Sequence, residues 1–273
     1  MKPRRSDSPE RERGLTRIEL LVLLGTLTLL ASVTRPIWGS GGPGRQLLCM
    51  DNFRRLQAGW LLYTEDQRGR FPRNPTIAES QNPVPGRGGW VTGVMTWDQA
   101  RGSTNTEYLT DARYAMLAPY VGPDATLYRC PEDTYLSPQQ HARGFIQRAR
   151  SYSMNHFMGA TSEFAFQYQS FHRLADLRDF PPQLASVFLE EHPDSINDPM
   201  FLNDPSQVTW GDLPGAFHAG GGWFSFVDGH VELRRWQSAA TIQAVRYFYH
   251  TVPPLQPTDP DWVWVQERAS RKR

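Results

Sequence analysis

The sequence predicts an α+β fold: an apolar N-terminal helix, then an exported domain in which a helix packs on short strands joined by long loops. Three observations predict it. A leucine-rich run without proline fills residues 15–34, apolar residues recur at helical spacing within 45–68, and two strand-like runs flank Asp228-Gly229. The 22 glycines and 22 prolines argue for many loops, and the 12% aromatic content supplies apolar area for a core. Charge excludes one class of partner. The chain has 29 basic and 28 acidic residues; the first fourteen hold five and three of these, which leaves 24 against 25. A near-neutral domain lacks the basic excess that nucleic acid requires, and the basic residues at 268–273 read as a solvated tail.

Each element follows in order. As a helix, residues 15–34 would run ~30 Å, about the thickness of bilayer hydrocarbon. Lys2, Arg4, Arg5, Arg11 and Arg13 precede it, so this end stays in the cytoplasm and the chain after Thr34 is exported. A secretory signal peptide has its small-residue junction after the apolar run. Here the junction, Gly14-Leu15, comes before it, and a carboxylate, Glu19, sits inside. Residues 35–44 read as a Gly/Pro linker, with Trp38 suited to the membrane interface. Gly39, Gly41 and Gly44 spell G-x-G-x-x-G, but they follow an apolar span rather than a strand, so no dinucleotide site is implied.

The exported domain is 45–273. Cys49, Phe53, Leu56, Trp60 and Tyr63 step by four, three, four and three, which predicts a helix over 45–68 with one face in the core and Gly69 at its C′ position. Residues 71–104 read as loop around a short strand at 90–97. A helix is expected at 110–120, then strands at 127–131, 150–158 and 185–189. Residues 222–227 and 230–236 form a hairpin around a type I′ Asp228-Gly229 turn. Helix is expected again at 241–249, and a last one begins with Asp259 as cap and Pro260 at N1.

Cys49 and Cys130 both fall in the exported part. An even pair in an oxidising compartment suggests a disulfide; the alternative is two buried free thiols. Two groupings have metal-like residue types. In the acidic run Glu190, Glu191, His192, Asp194 and Asp198, the oxygens of Glu191, Asp194 and Asp198 suit Ca²⁺. His218 and His230 with Asp228 suit a transition metal. Turn chemistry competes with both readings, since Asp228 and Pro193-Asp194 are turn formers, and His218 with Asp228 also reads as a structural hydrogen-bonded pair. The chain carries no Gly-x-Ser-x-Gly, His-Glu-x-x-His or Walker loop, so the reading is a non-enzyme.

The N-terminal pattern, a basic leader, then Gly14-Leu15-Thr16-Arg17-Ile18-Glu19-Leu20-Leu21 and an apolar run, resembles the type IV prepilin signal. The hairpin adds a second likeness: His218, nine residues and Asp228-Gly229 resemble prepilin-like proteins with a C-terminal His-x9-Asp-Gly motif. The resemblance implies a pilin-like fold, with an N-terminal transmembrane helix followed by a helix on an antiparallel sheet. It implies cleavage after Gly14 by prepilin peptidase, methylation of Leu15, and a role for Glu19 in pairing with a neighbouring subunit's terminal amine. It further implies an inner-membrane pseudopilin with a periplasmic or surface domain 45–273, leader 1–14 and span 15–34. The implied partners are other subunits of a type II secretion-like or type IV pilus-like machine and the lipid bilayer. Ca²⁺ bound by some pseudopilins makes it the implied ion. Arg17 departs from the family, where an apolar residue is usual; its side chain would snorkel to the head groups. The rival reading is a membrane-anchored binding module for glycan or protein that uses Trp90, Trp97 and Trp223.

Overall fold

The computed structural model describes residues 43–161, 167–249 and 255–273. The chain divides after Ser40, and the fold below is that of the unit from Gly41 onward. The leader 1–14, the apolar run 15–34, the residues Gly14, Leu15 and Glu19, and most of the linker lie outside the described residues.

The first long helix, α1, is Pro43–Asp66. It begins two residues before the expected start, where proline's fixed φ suits a first helical turn. Cys49, Phe53, Leu56 and Trp60 are fully buried on one face, as their spacing predicts. It ends two residues earlier than expected. Arg68, at φ 55°, takes the left-handed C′ place, while the Gly69 N–H reaches back to the Thr64 carbonyl at 2.7 Å.

Five strands form one sheet: β1 Tyr152–Asn155, β2 Ser186–Glu190, β3 Met200–Phe201, β4 Gly221–Phe226 and β5 Val231–Arg235. Their order is β3-β1-β2-β4-β5, and β3 lies parallel to β1 while the other neighbours are antiparallel. One face packs on α1, which touches β2, β4 and β5. The other face holds a second apolar cluster with the C-terminal helix, α2, Pro260–Ala269. Strand β4 serves both through the pleat: Trp223 joins the α1 side, and Phe224 and Phe226 join the α2 side. Phe224 meets Trp264 of α2 with ring centroids 4.9 Å apart. Asp259 caps α2 by accepting from the N–H groups of Asp261 and Trp262, as expected.

This corrects the expected fold. Among the described residues no helix is long and apolar enough to cross a membrane. The sheet is mixed rather than antiparallel, and it is covered on both faces rather than one.

Local expectations fail where backbone N–H groups find partners outside a regular element. Residues 90–97 form no strand: Trp90, Thr92 and Met95 donate to the carbonyls of Arg73, Tyr108 and Asn197, three separate segments. The 110–120 helix is instead two single turns, Glu107–Thr110 and Ala118–Val121. The 127–131 strand gives way to a 3₁₀ turn, Ala125–Tyr128, capped by the Asp124 carboxylate. The 241–249 helix is absent, because Asp194 accepts the N–H groups of Arg246 and Tyr247 at 2.6 and 2.9 Å. The Asp228-Gly229 turn is not type I′. Gly229 has φ 93° and Asp228 no positive φ; Gly229 donates to Phe226 at 2.9 Å and Phe226 to His230 at 3.1 Å. That pattern is a three-residue connection with a left-handed glycine.

Candidate functional site

Four segments converge beneath α1. The helix supplies Cys49 from its buried stripe. The turn after Ala125–Tyr128 supplies Cys130, held by α1 itself: the Asn52 side chain donates to the Thr126 and Arg129 carbonyls at 3.3 and 3.1 Å. Strand β2 ends at Glu190, whose register partner on β1 is Tyr152. The loop entering β4 supplies His218, whose N–H closes a tight turn onto Gly221 at 3.0 Å. That turn uses left-handed Ala219 and Gly220, at φ 51° and 78°.

The four side chains are buried and mutually in reach. One ligand atom from each of Cys49, Cys130, Glu190 and His218 lies within 4.8 Å of all the others. Cys49 Sγ donates to Glu190 Oε1 at 3.0 Å, His218 Nε2 meets the same oxygen at 3.0 Å, and Cys130 Sγ lies 3.4 Å from His218 Nε2. Partners outside the group hold it in place. The Tyr152 hydroxyl is 3.1 Å from Cys49 Sγ, and the Trp223 N–H donates to Glu190 Oε2 at 2.9 Å. Space around Glu190 is tight. A Cβ on Gly222 would stand 2.5 Å from the Gly215 carbonyl oxygen, and one on Gly215 would stand 3.0 Å from Glu190 Cβ.

Burial sets the electrostatics. It pushes the Cys49 thiol up to about 12 and the Cys130 thiol well above its usual range. For His218 burial opposes the charge, but the contacts with Cys130 and Glu190 outweigh it and carry the ring up to about 10. Burial thus favours the neutral thiols, while the contacts around His218 favour its protonated ring.

The sequence-predicted residues divide sharply. Cys49 and Cys130 do meet, but as free thiols rather than a disulfide. His218 joins them, while its motif partners do not. Asp228 and His230 form an exposed pair, 2.6 Å apart, at the hairpin tip. The carboxylates assigned to Ca²⁺ also fail to converge. Glu191 accepts from Ser153 Oγ at 2.5 Å and Ser195 Oγ at 2.6 Å, Asp194 holds the 246–247 amides, and Asp198 accepts the Met200 N–H at 2.9 Å. Among the described residues, Cys49, Cys130, Glu190 and His218 are the one group placed to hold an ion. Glu190, the residue left out of the expected ligand sets, is central to it. Its signal was present in the acidic run, but nothing along the chain marked which of two adjacent glutamates turns toward the cysteines.

The aromatics of the rival reading are not a surface platform. Trp90 and Trp223 are buried; Trp97 lies under the Arg148 guanidinium, 4.3 Å from its ring centroid, and beside Tyr247. Comparison with known proteins finds no matching family model, no matching curated protein and no matching solved structure.

Proposed function

We propose that this chain is a pseudopilin-like structural subunit, cut by prepilin peptidase after Gly14, methylated on Leu15 and assembled into a type II secretion-like or type IV pilus-like filament at the inner membrane. The observation that carries this reading is the order of residues at the N-terminus: a Gly-Leu junction before an apolar run, with Glu19 five residues beyond the junction. A carboxylate within lipid costs roughly 2.5–3.5 kcal/mol at the centre of a span, less near its end, so it calls for a cationic partner. A neighbouring subunit's terminal amine supplies one. The exposed Leu47 and Leu48 at the start of α1 support the reading by giving subunits apolar surface. The unit from Gly41 would then be the exported part. The anchored glycan-binding alternative keeps no such support, because two of its three tryptophans are buried.

Mass spectrometry of the mature protein tests the proposal. N-methyl-leucine at Leu15 is the expected terminus; an uncut chain, or a cut after the apolar run, would overturn it. A second check is Glu19→Leu, which should reduce crosslinked oligomers in the envelope at least tenfold.

A further inference from the structure

We infer that Cys49, Cys130, Glu190 and His218 form a structural zinc site. The donor set carries the identification. Two thiols, an imidazole and a single carboxylate oxygen are zinc's own ligand types, whereas a Ca²⁺ site is built from oxygens alone. The count is four, all from protein and all buried, which is the closed arrangement of a structural ion rather than a catalytic one. The spacing fits as well. A tetrahedral zinc places its ligand atoms about 3.4–3.8 Å apart; three of the contacts here are 3.0, 3.0 and 3.4 Å. A shift of a few tenths of an ångström outward admits the ion.

The surroundings are arranged as an outer shell. Trp223 N–H occupies Glu190 Oε2 and leaves Oε1 facing the other three ligands. The Tyr152 hydroxyl can donate to Cys49 Sγ, which offsets thiolate charge. Zinc binding displaces the two thiol protons, and any proton on the coordinating imidazole nitrogen, to solvent, and the metal charge replaces them beside Glu190. Nothing is oxidised or reduced. Holding the thiols as zinc thiolates also resists oxidation of a close cysteine pair. The ion would pin α1, the Cys130 turn, β2 and the loop entering β4 to one point. This inference stands apart from the filament reading, since it concerns the unit from Gly41 onward whatever that unit joins and wherever it lies.

The test uses the full-length protein in detergent, purified under mild reduction. Metal analysis should find one zinc per chain. Chelation should lower Tm by about 8–16 °C if zinc stands near a thousandfold above its Kd, and zinc alone should restore it. Cobalt(II) in place of zinc should give thiolate-to-cobalt charge transfer and the intense visible bands of a tetrahedral ion. The chain has only two cysteines, so that charge transfer must arise from Cys49 and Cys130, with an intensity per cobalt that matches two thiolates rather than one. Cys130→Ser should remove roughly half of its intensity, and Glu190→Gln should weaken zinc binding at least tenfold. Absence of metal uptake, cobalt binding without charge transfer, or a Cys49–Cys130 disulfide in the native protein would each overturn the assignment. So would equal zinc content in a Cys49→Ser, Cys130→Ser double variant.

Discussion

Glu190 and Glu191 are neighbours in sequence, equally buried, and resolved in different ways. Glu190 faces α1 and sits among two thiols, an imidazole and one backbone amide. Glu191 faces the other way and sits among the hydroxyls of Ser153 and Ser195, near the buried Arg150. Burial pushes the Glu191 carboxyl up to about 8, with the two serines and Arg150 pulling against it. One carboxylate is poised to share an ion; the other is satisfied by the fold. The difference teaches that a run of acidic residues in an extended segment is two sites, because the pleat sends alternate side chains to opposite faces.

Four predictions sharpen or break that contrast. The largest effect belongs to the Glu191 side. Arg150 is buried and donates to the Tyr152 carbonyl and Ser153 Oγ at 3.0 Å each. Arg150→Met strips the guanidinium from Glu191, Asp198 and Asp212 and should cost about 3–5 kcal/mol in urea unfolding; a cost under 1 would mean these carboxylates do not depend on it. Next comes Glu190→Gln in zinc-loaded protein, at about 2–3 kcal/mol, because the anionic ligand is lost and a neutral amide oxygen holds the ion less tightly. Glu191→Gln should cost only about 1 kcal/mol, since serine hydroxyls can rotate to donate or accept. If the two glutamine variants rank the other way, the contrast between the neighbours is wrong.

The smallest effect is a surface comparison. Arg73 forks onto Glu79 at 2.7 and 3.0 Å, beside the Thr76 capping box, and holds its carboxyl down at about 2. A lowered folded pKa means stability that is present above the unfolded value near 4.5 and is lost as pH falls toward 2. With solvent screening, Glu79→Gln should lose about 0.5 kcal/mol at neutral pH and show a shallower fall in stability between pH 4.5 and 2. An acid limb identical to that of the parent chain would remove this contribution.

Much of the scaffold was legible in the sequence. The stripe at Cys49, Phe53, Leu56 and Trp60 gave α1, the β4–β5 hairpin announced itself by its glycine turn, and Asp259-Pro260 marked the start of α2. These signals are local, and local chemistry decides them. Residues 90–97 and 241–249 were misread because their amides bond to distant carbonyls and to Asp194, which periodicity cannot reveal. The site was half legible. Two cysteines and His218 stood out by type, but their meeting depends on helix, turn, strand and loop closing together. His-x9-Asp-Gly spans a single strand: its histidine reaches the buried cluster at one end, and its Asp-Gly makes the turn at the other. Reading the motif as one ligand set joined residues that β4 holds apart.

The most direct test is the X-ray absorption of zinc bound to the full-length chain. The account predicts two sulfurs at about 2.3 Å and two nitrogen or oxygen ligands at about 2.0–2.1 Å. A zinc shell of nitrogen and oxygen alone would contradict it, and the cluster beneath α1 would then be a hydrogen-bonded core rather than a metal centre.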